Sequence, residues 1–359
     1  MTTASTEPVI ARKKPYLVRL AKKGRTYWWC ACGRSRKQPF CDGSHKGTGI
    51  EPVPYVAKAD GEEVLFCGCK HTRHPPLCDG SHNNLGDTYE EASADEIAAT
   101  ADIPVTPFDE TGRARLDGGC FVLRPAGRWR EIGGGWRMEP LITAEDGARH
   151  LAQYRLLAEG RTAPLTFGQN SEVVLFACAG AGELMIAGRA CPLAPLTGYH
   201  VLPGETVELR ASPDGPAELI ATQCPLGKPP ALAETSAAVA SAQDERLRWQ
   251  RYDPARRERM ADRFYQVLVG PETGSEQVTL FIGEIPRSRA AGHRHLYEEA
   301  IVILTGSGFM WTERARAAVR PGDVIFLPAR QIHSLECTDP GGMRLAGAFY
   351  PAGSPAINY

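Results

Sequence analysis

Gly292-His293-Arg294-His295-Leu296-Tyr297-Glu298-Glu299, followed after six residues by Gly306, is the stretch on which the fold of this chain turns. Successive side chains of an extended segment point to opposite faces. His293 and His295 therefore share a face, and Glu299, an even number of residues further on, can reach the same side. Pro321-Gly322-Asp323, Pro328 and His333 follow. The Pro-Gly-Asp turn sends the chain back, and His333 on the returning strand completes a set of three imidazoles and one carboxylate. Such nitrogen and oxygen donors suit a mononuclear Fe(II), Mn, Ni, Cu or Zn ion, and spacing alone does not choose among them. The surroundings are β-type: runs at 265–269, 278–284, 300–304, 308–312, 324–327 and 344–349 are short, apolar and punctuated by Gly and Pro, the pattern of a barrel or sandwich. A second series, at 119–123, 173–177, 183–187, 207–210 and 217–222, precedes them.

The H-x-H-x3-E-x6-G and P-G-D…P-x4-H segments resemble the two motifs of the cupin superfamily, over about residues 265–350. The resemblance implies a β-barrel in which His293, His295, Glu299 and His333 hold one divalent metal, most readily Fe(II), with positions left for O2 and a small-molecule substrate. The alternative is a cupin barrel whose histidines are packed polar residues. Matching Gly180 to Gly306 and Pro203 to Pro328 places Phe167, Gln169, Val173 and Glu208 at the ligand positions of the earlier series. That set cannot make the same site, so a degenerate, metal-free barrel is expected there. His150 and His200 read as structural histidines, and Cys120, Cys178, Cys191, Cys224 and Cys337, which lack paired spacing, as buried small apolar residues. By parity Tyr297 lines the ligand face and is the candidate catalytic side chain, whereas Arg294 points out of the barrel. Arg330 flanks the ligands as a candidate for binding a substrate carboxylate.

At the other end of the chain, Cys30, Cys32, Cys41 and His45 recur as Cys67, Cys69, Cys78 and His82, each 37 residues later. A constant offset over four ligand-type residues means duplication. Both copies read C-x-C-x2-[ST]-x3-P-x-C-D-G-S-H, and a β-type run leads into each C-x-C. Thiolates suit iron-sulfide clusters, and replacing one by a neutral imidazole removes negative charge, which raises the reduction potential and makes it pH-dependent. The same Cys3His set also suits tetrahedral zinc. Gly43 and Gly80 allow close backbone approach, and Asp42 and Asp79 can cap local amides. Residues of about 16–87 resemble the CDGSH (NEET) iron-sulfur family. This implies two [2Fe-2S] clusters, one in each copy, and a tandem that does within one chain what single-motif chains do as dimers.

The expected fold class is therefore mainly β: a small tandem CDGSH iron-sulfur module followed by two cupin β-barrels joined by a helical segment. The expected divisions are a flexible tail at 1–14, the tandem domain at 15–88, an acidic linker with a short helix at 89–112, the degenerate barrel at 113–228, a helical connection rich in Ala, Glu, Gln and Arg at 229–263, and the metal-binding barrel with its tail at 264–359. A net charge of −1 gives no ground for nucleic-acid binding. No segment approaches the roughly 18 apolar residues of a membrane span, so a cytoplasmic protein is expected. Six of the eleven cysteines lie between Cys30 and Cys78, as metal chemistry in a reducing compartment requires. Charge is uneven locally, with ten basic and no acidic residues from 11 to 37 and eight acidic residues without Lys or Arg from 86 to 110. These are either solvated faces that attract each other or a docking face for an acidic redox partner. Cupins often associate through edge strands, so a homodimer is expected.

Two one-electron carriers beside one mononuclear metal lead to a specific expectation: an iron-dependent oxygenase in which the clusters, recharged by an electron-donor protein or reductase, deliver electrons to the cupin metal. The alternatives are a cupin dioxygenase or isomerase independent of external electrons, and a non-catalytic redox or iron-sulfur sensor with a ligand-binding cupin.

Overall fold

The computed structural model describes residues 7–86, 90–233 and 247–357. The fold is mainly β, with 43% strand and 7% helix. The N-terminal module consists of two antiparallel ribbons, Tyr16–Arg19 with Glu63–Phe66 and Thr26–Trp29 with Val53–Val56. Each ribbon combines a strand from one repeat with a strand from the other, so the halves interlock around Leu20, Trp29, Val64 and Phe66. Apolar burial of these large side chains supplies the stability that ribbons of four residues lack alone.

Two barrels follow. The first joins a seven-stranded sheet to a five-stranded one, and the second an eight-stranded sheet to a four-stranded one. Each barrel has its own apolar interior, and a third apolar cluster lies between them, built from Leu141, Val174, Phe176, Ile282, Val302 and Phe326 among others. The central strands Glu172–Ala179 and Glu298–Thr305 are consequently buried on both faces over six successive residues. This is why they read as continuous apolar runs instead of alternating ones.

The barrels exchange strands. Arg113–Arg115 and Phe121–Leu123, expected to begin the first barrel, extend the eight-stranded sheet of the second, with Phe121–Leu123 paired to Val324–Leu327. Trp249–Arg251, expected within a helical connection, pairs with Thr197–Val201 of the first. The expected helix at 229–263 is corrected in its described residues: these form short strands at Ala231–Leu232, Trp249–Arg251 and Glu258–Met260 and a 3-10 turn at Pro254–Arg256, while 234–246 lie outside the described residues. Helix propensity gave way to edge pairing, which satisfies the backbone groups of two sheets at once. The acidic stretch does hold a helix, Ala94–Thr100, capped by Ser93.

A constant offset of 126 residues relates the barrels: Gly182 pairs with Ala211 as Gly308 pairs with Cys337, and Val173 with Val201 as Glu299 with Leu327. His333 therefore corresponds to Val207, and the expected correspondence with Glu208 is one residue out of register. The ligand positions of the first barrel become Phe167, Gln169, Val173 and Val207. The same offset relates two carboxylates that clasp the barrels together. Glu298 accepts hydrogen bonds from the amides of Arg149, His150 and Leu151 in the first barrel, at 3.1–3.2 Å. Glu172 accepts from the Ser275 hydroxyl at 2.8 Å and from the amides of Glu276 and Gln277 in the second. His200, 3.8 Å from Glu172, serves this clasp, which accords with its reading as structural.

Burial pushes the Glu172 carboxyl up, but the neighbouring His200 imidazole and hydrogen bonds from Gln277, Ser275 and Glu276 outweigh it and hold the group at about 2. Its folded pKa lies below the unfolded value, so its stabilisation is present above pH ~4.5 and is lost as pH falls towards 2. Glu172→Gln should lower unfolding stability by about 2–3 kcal/mol at pH 7, with the difference from wild type shrinking between pH ~4.5 and 2 in urea titrations. A pH-independent difference would contradict this assignment.

Candidate metal centre and iron-sulfur sites

His293 and His333 form an isolated antiparallel bridge, each donating its amide N–H to the other's carbonyl at 3.0 and 2.9 Å. The strand expected to carry His293 and His295 is thus reduced to this single bridge, followed by a bend. The regular strand starts only at Glu298. The ligand-type nitrogens of His293, His295 and His333 lie within 4.8 Å of one another. Nδ1 of His293 faces the Ala291 carbonyl at 2.8 Å and Nδ1 of His333 the Gln331 carbonyl at 2.9 Å. A carbonyl only accepts, so each Nδ1 carries the proton and each Nε2 keeps its lone pair for a metal. Oε2 of Glu299 is 3.4 Å from Nδ1 of His295, so in this arrangement the carboxyl, expected as a fourth ligand, contacts an imidazole of the triad and is not gathered with the three nitrogens.

The three imidazoles and Glu299 open into a cavity of about 110 Å³ whose walls are largely apolar, with Met260, Phe264, Phe281, Ile301 and Leu335 among the lining residues. Tyr297 lines it as parity predicts, stacked between His295 at 4.3 Å and Phe349 at 4.1 Å. Arg294 is exposed, also as expected. Arg330 does not face a substrate. Its guanidinium pairs with Glu63 of the iron-sulfur module, and its amide donates to the His295 carbonyl at 2.7 Å. Sequence reasoning missed Arg263, which lines the cavity, is buried, and donates to the Ser288 hydroxyl at 3.1 Å. Its signal was available: it stands two residues before the β-type run at 265–269, at the last position of the expected connection, and the strand begins at Arg263 itself.

Burial dominates the titration of the centre. It holds His293 well below its ordinary value, His295 at about 3 and His333 at about 4, and pushes Glu299 up to about 7. Below pH ~7 the set is therefore mostly neutral before a cation arrives, and the donor chemistry fits a divalent ion that replaces one proton there.

The two Cys3His sets share one backbone pattern. Cys30 and Cys67 donate their amides to Pro39 and Pro76, and Cys41 and Cys78 to Trp28 and Leu65. Ser35 and Thr72 donate to the carbonyls of Phe40 and Leu77. Asp42 and Asp79 accept from the amides of Arg36 and Ser44 and of Arg73 and Ser81. Each donor set comes as two pairs: Cys30 and Cys32 at 3.6 Å with Cys41 and His45 at 3.1 Å, then Cys67 and Cys69 at 3.5 Å with Cys78 and His82 at 3.5 Å. Amides of Gly43, Lys70 and His71 donate to Cys41, Cys67 and Cys69. N–H donors aimed at sulfur stabilise thiolate charge, as an iron-sulfur cluster requires. The sites differ in exposure: Cys41 and His45 are half-buried, Cys78 and His82 buried.

The second site also touches the metal barrel. Asn83, next to His82, donates through Nδ2 to the Ala356 carbonyl at 2.8 Å, and Asn84 accepts through Oδ1 from the Ala261 amide at 2.9 Å. A methyl group on Gly80 would lie 2.5 Å from that of Ala356, so the backbones meet here without room for a side chain. Pro355 and Met260, the neighbours of those two alanines, line the metal cavity. These contacts span more than 170 residues, and no local pattern announces them.

At pH 6 a divalent ion should release about one proton from Glu299 on binding, falling towards none by pH 8, and Glu299→Gln should abolish the release. Calorimetry in buffers of different ionisation enthalpy reads this, and equal release at both pH values would contradict it.

Residues 8–46 match the family described as iron-binding zinc finger, CDGSH type, and residues 284–347 match the cupin domain. CDGSH iron-sulfur domain-containing protein 3, mitochondrial, is 50% identical over 54 residues in Mus musculus and 54% over 52 residues in Homo sapiens. Each match covers 14% of this chain and spans only about two fifths, 39% and 40%, of the relative. Among solved structures, the protein Ylba from E. coli has a TM-score of 0.52 at 15% identity, covering 66% of this chain and 93% of its own. A mutant of Bacillus subtilis oxalate decarboxylase has a TM-score of 0.51 at 13% identity, covering 69% and 82%. The coconut allergen cocosin has the same score at 10% identity, covering 63% and 84%. An enzyme and an allergen are alike in fold to this chain, so the likeness speaks for fold alone. The chain carries a CDGSH-type iron-sulfur domain at its N-terminus and a cupin domain in its C-terminal region, within a bicupin-like fold.

Proposed function

We propose that the chain is a non-haem iron oxidoreductase of oxygenase type, in which [2Fe-2S] clusters held by Cys30, Cys32, Cys41, His45 and by Cys67, Cys69, Cys78, His82 supply electrons to a metal held by His293, His295 and His333. Inserting one atom of O2 into a small molecule and releasing the other as water takes two electrons beyond those the substrate gives, and two such clusters store one each. The observation that carries this reading is the seam between module and barrel. Asn83 and Asn84 adjoin the ligand His82, and their hydrogen bonds end on Ala356 and Ala261, whose neighbours line the metal cavity. Arg330 forms a second bridge, its amide bonded to His295 and its guanidinium to Glu63.

In this reading the Ala291 and Gln331 carbonyls fix the tautomers of His293 and His333. Glu299 orients His295 and takes up or gives back one proton at its carboxyl. Tyr297 and Phe349 wall the cavity, whose apolar lining excludes water and selects a compact, chiefly apolar substrate. The buried Arg263 adds a fixed positive charge that favours anionic character at the site.

The test is the fate of stored electrons. In loaded protein reduced with dithionite and freed of excess reductant, exposure to O2 should re-oxidise the clusters in step with the barrel site. Asn83→Ala with Asn84→Ala should slow that re-oxidation by about tenfold without changing the cluster spectrum. His333→Gln should slow it to the rate of cluster reaction with O2 alone. Re-oxidation indifferent to all three changes would contradict electron delivery.

A further inference from the structure

The iron-sulfur module presents one surface twice. In the Tyr16–Arg19/Glu63–Phe66 ribbon, Glu63 lies opposite Arg19 and pairs with Arg330 of the metal barrel. In the other ribbon the equivalent position is Thr26, opposite Val56, with Trp28 opposite Pro54. Residues directly opposite in an antiparallel pair share a face, so Thr26, Trp28, Pro54 and Val56 form one outward patch. Trp28 and Val56 are each 52% exposed, while Tyr27, Trp29 and Tyr55 on the other face pack into the module's core. The Trp28 carbonyl accepts the amide of Cys41 at 2.8 Å, so the patch rests on the ligand loop of the first site. Exposed Lys22, Lys23 and Arg25 flank one end of the strand, and exposed Arg34, Arg36 and Lys37 lie on the loop beyond the other. Of the nearby acidic groups, Asp60 accepts from the amide of Lys23 at 2.7 Å, Asp42 is taken up by the amides of Arg36 and Ser44, and Glu51 sits 3.5 Å from His45.

An exposed tryptophan ringed by cations is the composition of a protein-docking surface that recruits an acidic partner by steering. We propose that this patch is the docking site of an acidic protein one-electron carrier that reduces the site of Cys30, Cys32, Cys41 and His45. Each encounter oxidises the carrier by one electron and reduces the cluster by one, with no bond or proton exchanged. The proposal rests on the reading of the module as an electron supply and gives it a direction: the half-exposed first site is the entry, and the buried second site, docked on the barrel, is the exit.

Stopped-flow bleaching of the clusters in the loaded full chain tests it, with a reduced acidic [2Fe-2S] ferredoxin as one reductant and dithionite as the other. Arg36→Glu with Lys37→Glu should slow ferredoxin-driven bleaching at least about tenfold at low salt, and Trp28→Ala several-fold, with the dithionite rate unchanged. Raising the salt should slow the wild-type reaction and shrink its lead over the charge-reversed variant. Ferredoxin rates unaffected by both variants would overturn the proposal, as would an equal loss with dithionite. Self-association or oligonucleotide binding that depends on Trp28 would reassign the patch and overturn it too. Because re-oxidation after dithionite bypasses docking, it still reads the proposed function when docking fails.

Discussion

The alternation of side chains at the start of one strand sets up the whole molecule. Glu298 and Glu299 are neighbours on Glu298–Thr305, so they must point to opposite faces. Glu298 turns outward to the amides of the first barrel, and Glu299 turns inward to His295. The clasp that fixes the barrels against each other and the carboxyl that faces the triad are thus held by one short piece of backbone. A slip of one residue would bury the wrong carboxyl on each side. The first barrel repeats the outward half of this device with Glu172 but has Val173 in place of the inward half, so it keeps the clasp and gives up the site.

Much of this was legible locally. Wherever ligands lie within a few residues of one another, as in Cys30 to His45, Cys67 to His82 and His293 to Glu299, spacing and side-chain type point to the chemistry without help from the fold. His333 was legible because a Pro-Gly-Asp turn announces the return. The register of the first barrel was not, because its turn proline, Pro203, stands one residue out of step with Pro328. Counting from it selected Glu208 where the sheet selects Val207, and in a structure of period two that error exchanges a buried position for its outward neighbour. The exchanged strands were hidden for another reason: Phe121–Leu123 and Trp249–Arg251 are three residues long, and only a distant sheet edge makes them strands.

The join between module and barrel lies furthest from the sequence. Asn83 and Asn84 follow the second D-G-S-H and look like ordinary loop residues, yet they contact Ala356 and Ala261. Arg330, in a left-handed backbone conformation with φ of 70°, looked like a substrate anchor and instead joins the His295 backbone to Glu63. These contacts break the equivalence of two halves that are otherwise copies. One half presents a basic, apolar surface to solvent, and the other is sealed against the cavity that holds the triad. In the proposed function, a duplicated module acquires a direction in this way without any change in its ligands.

The central claim is that iron-sulfur clusters and an open mononuclear iron coexist and communicate in one chain. Electron paramagnetic resonance on anaerobically purified protein, with iron and sulfide analysis, before and after dithionite and then with nitric oxide, tests it most directly. The account predicts about five irons and about four sulfides per chain, reduced-cluster signals after dithionite, and a separate iron-nitrosyl signal that is lost in His333→Gln. Zinc at the triad, or clusters with no nitrosyl-forming iron beside them, would contradict it.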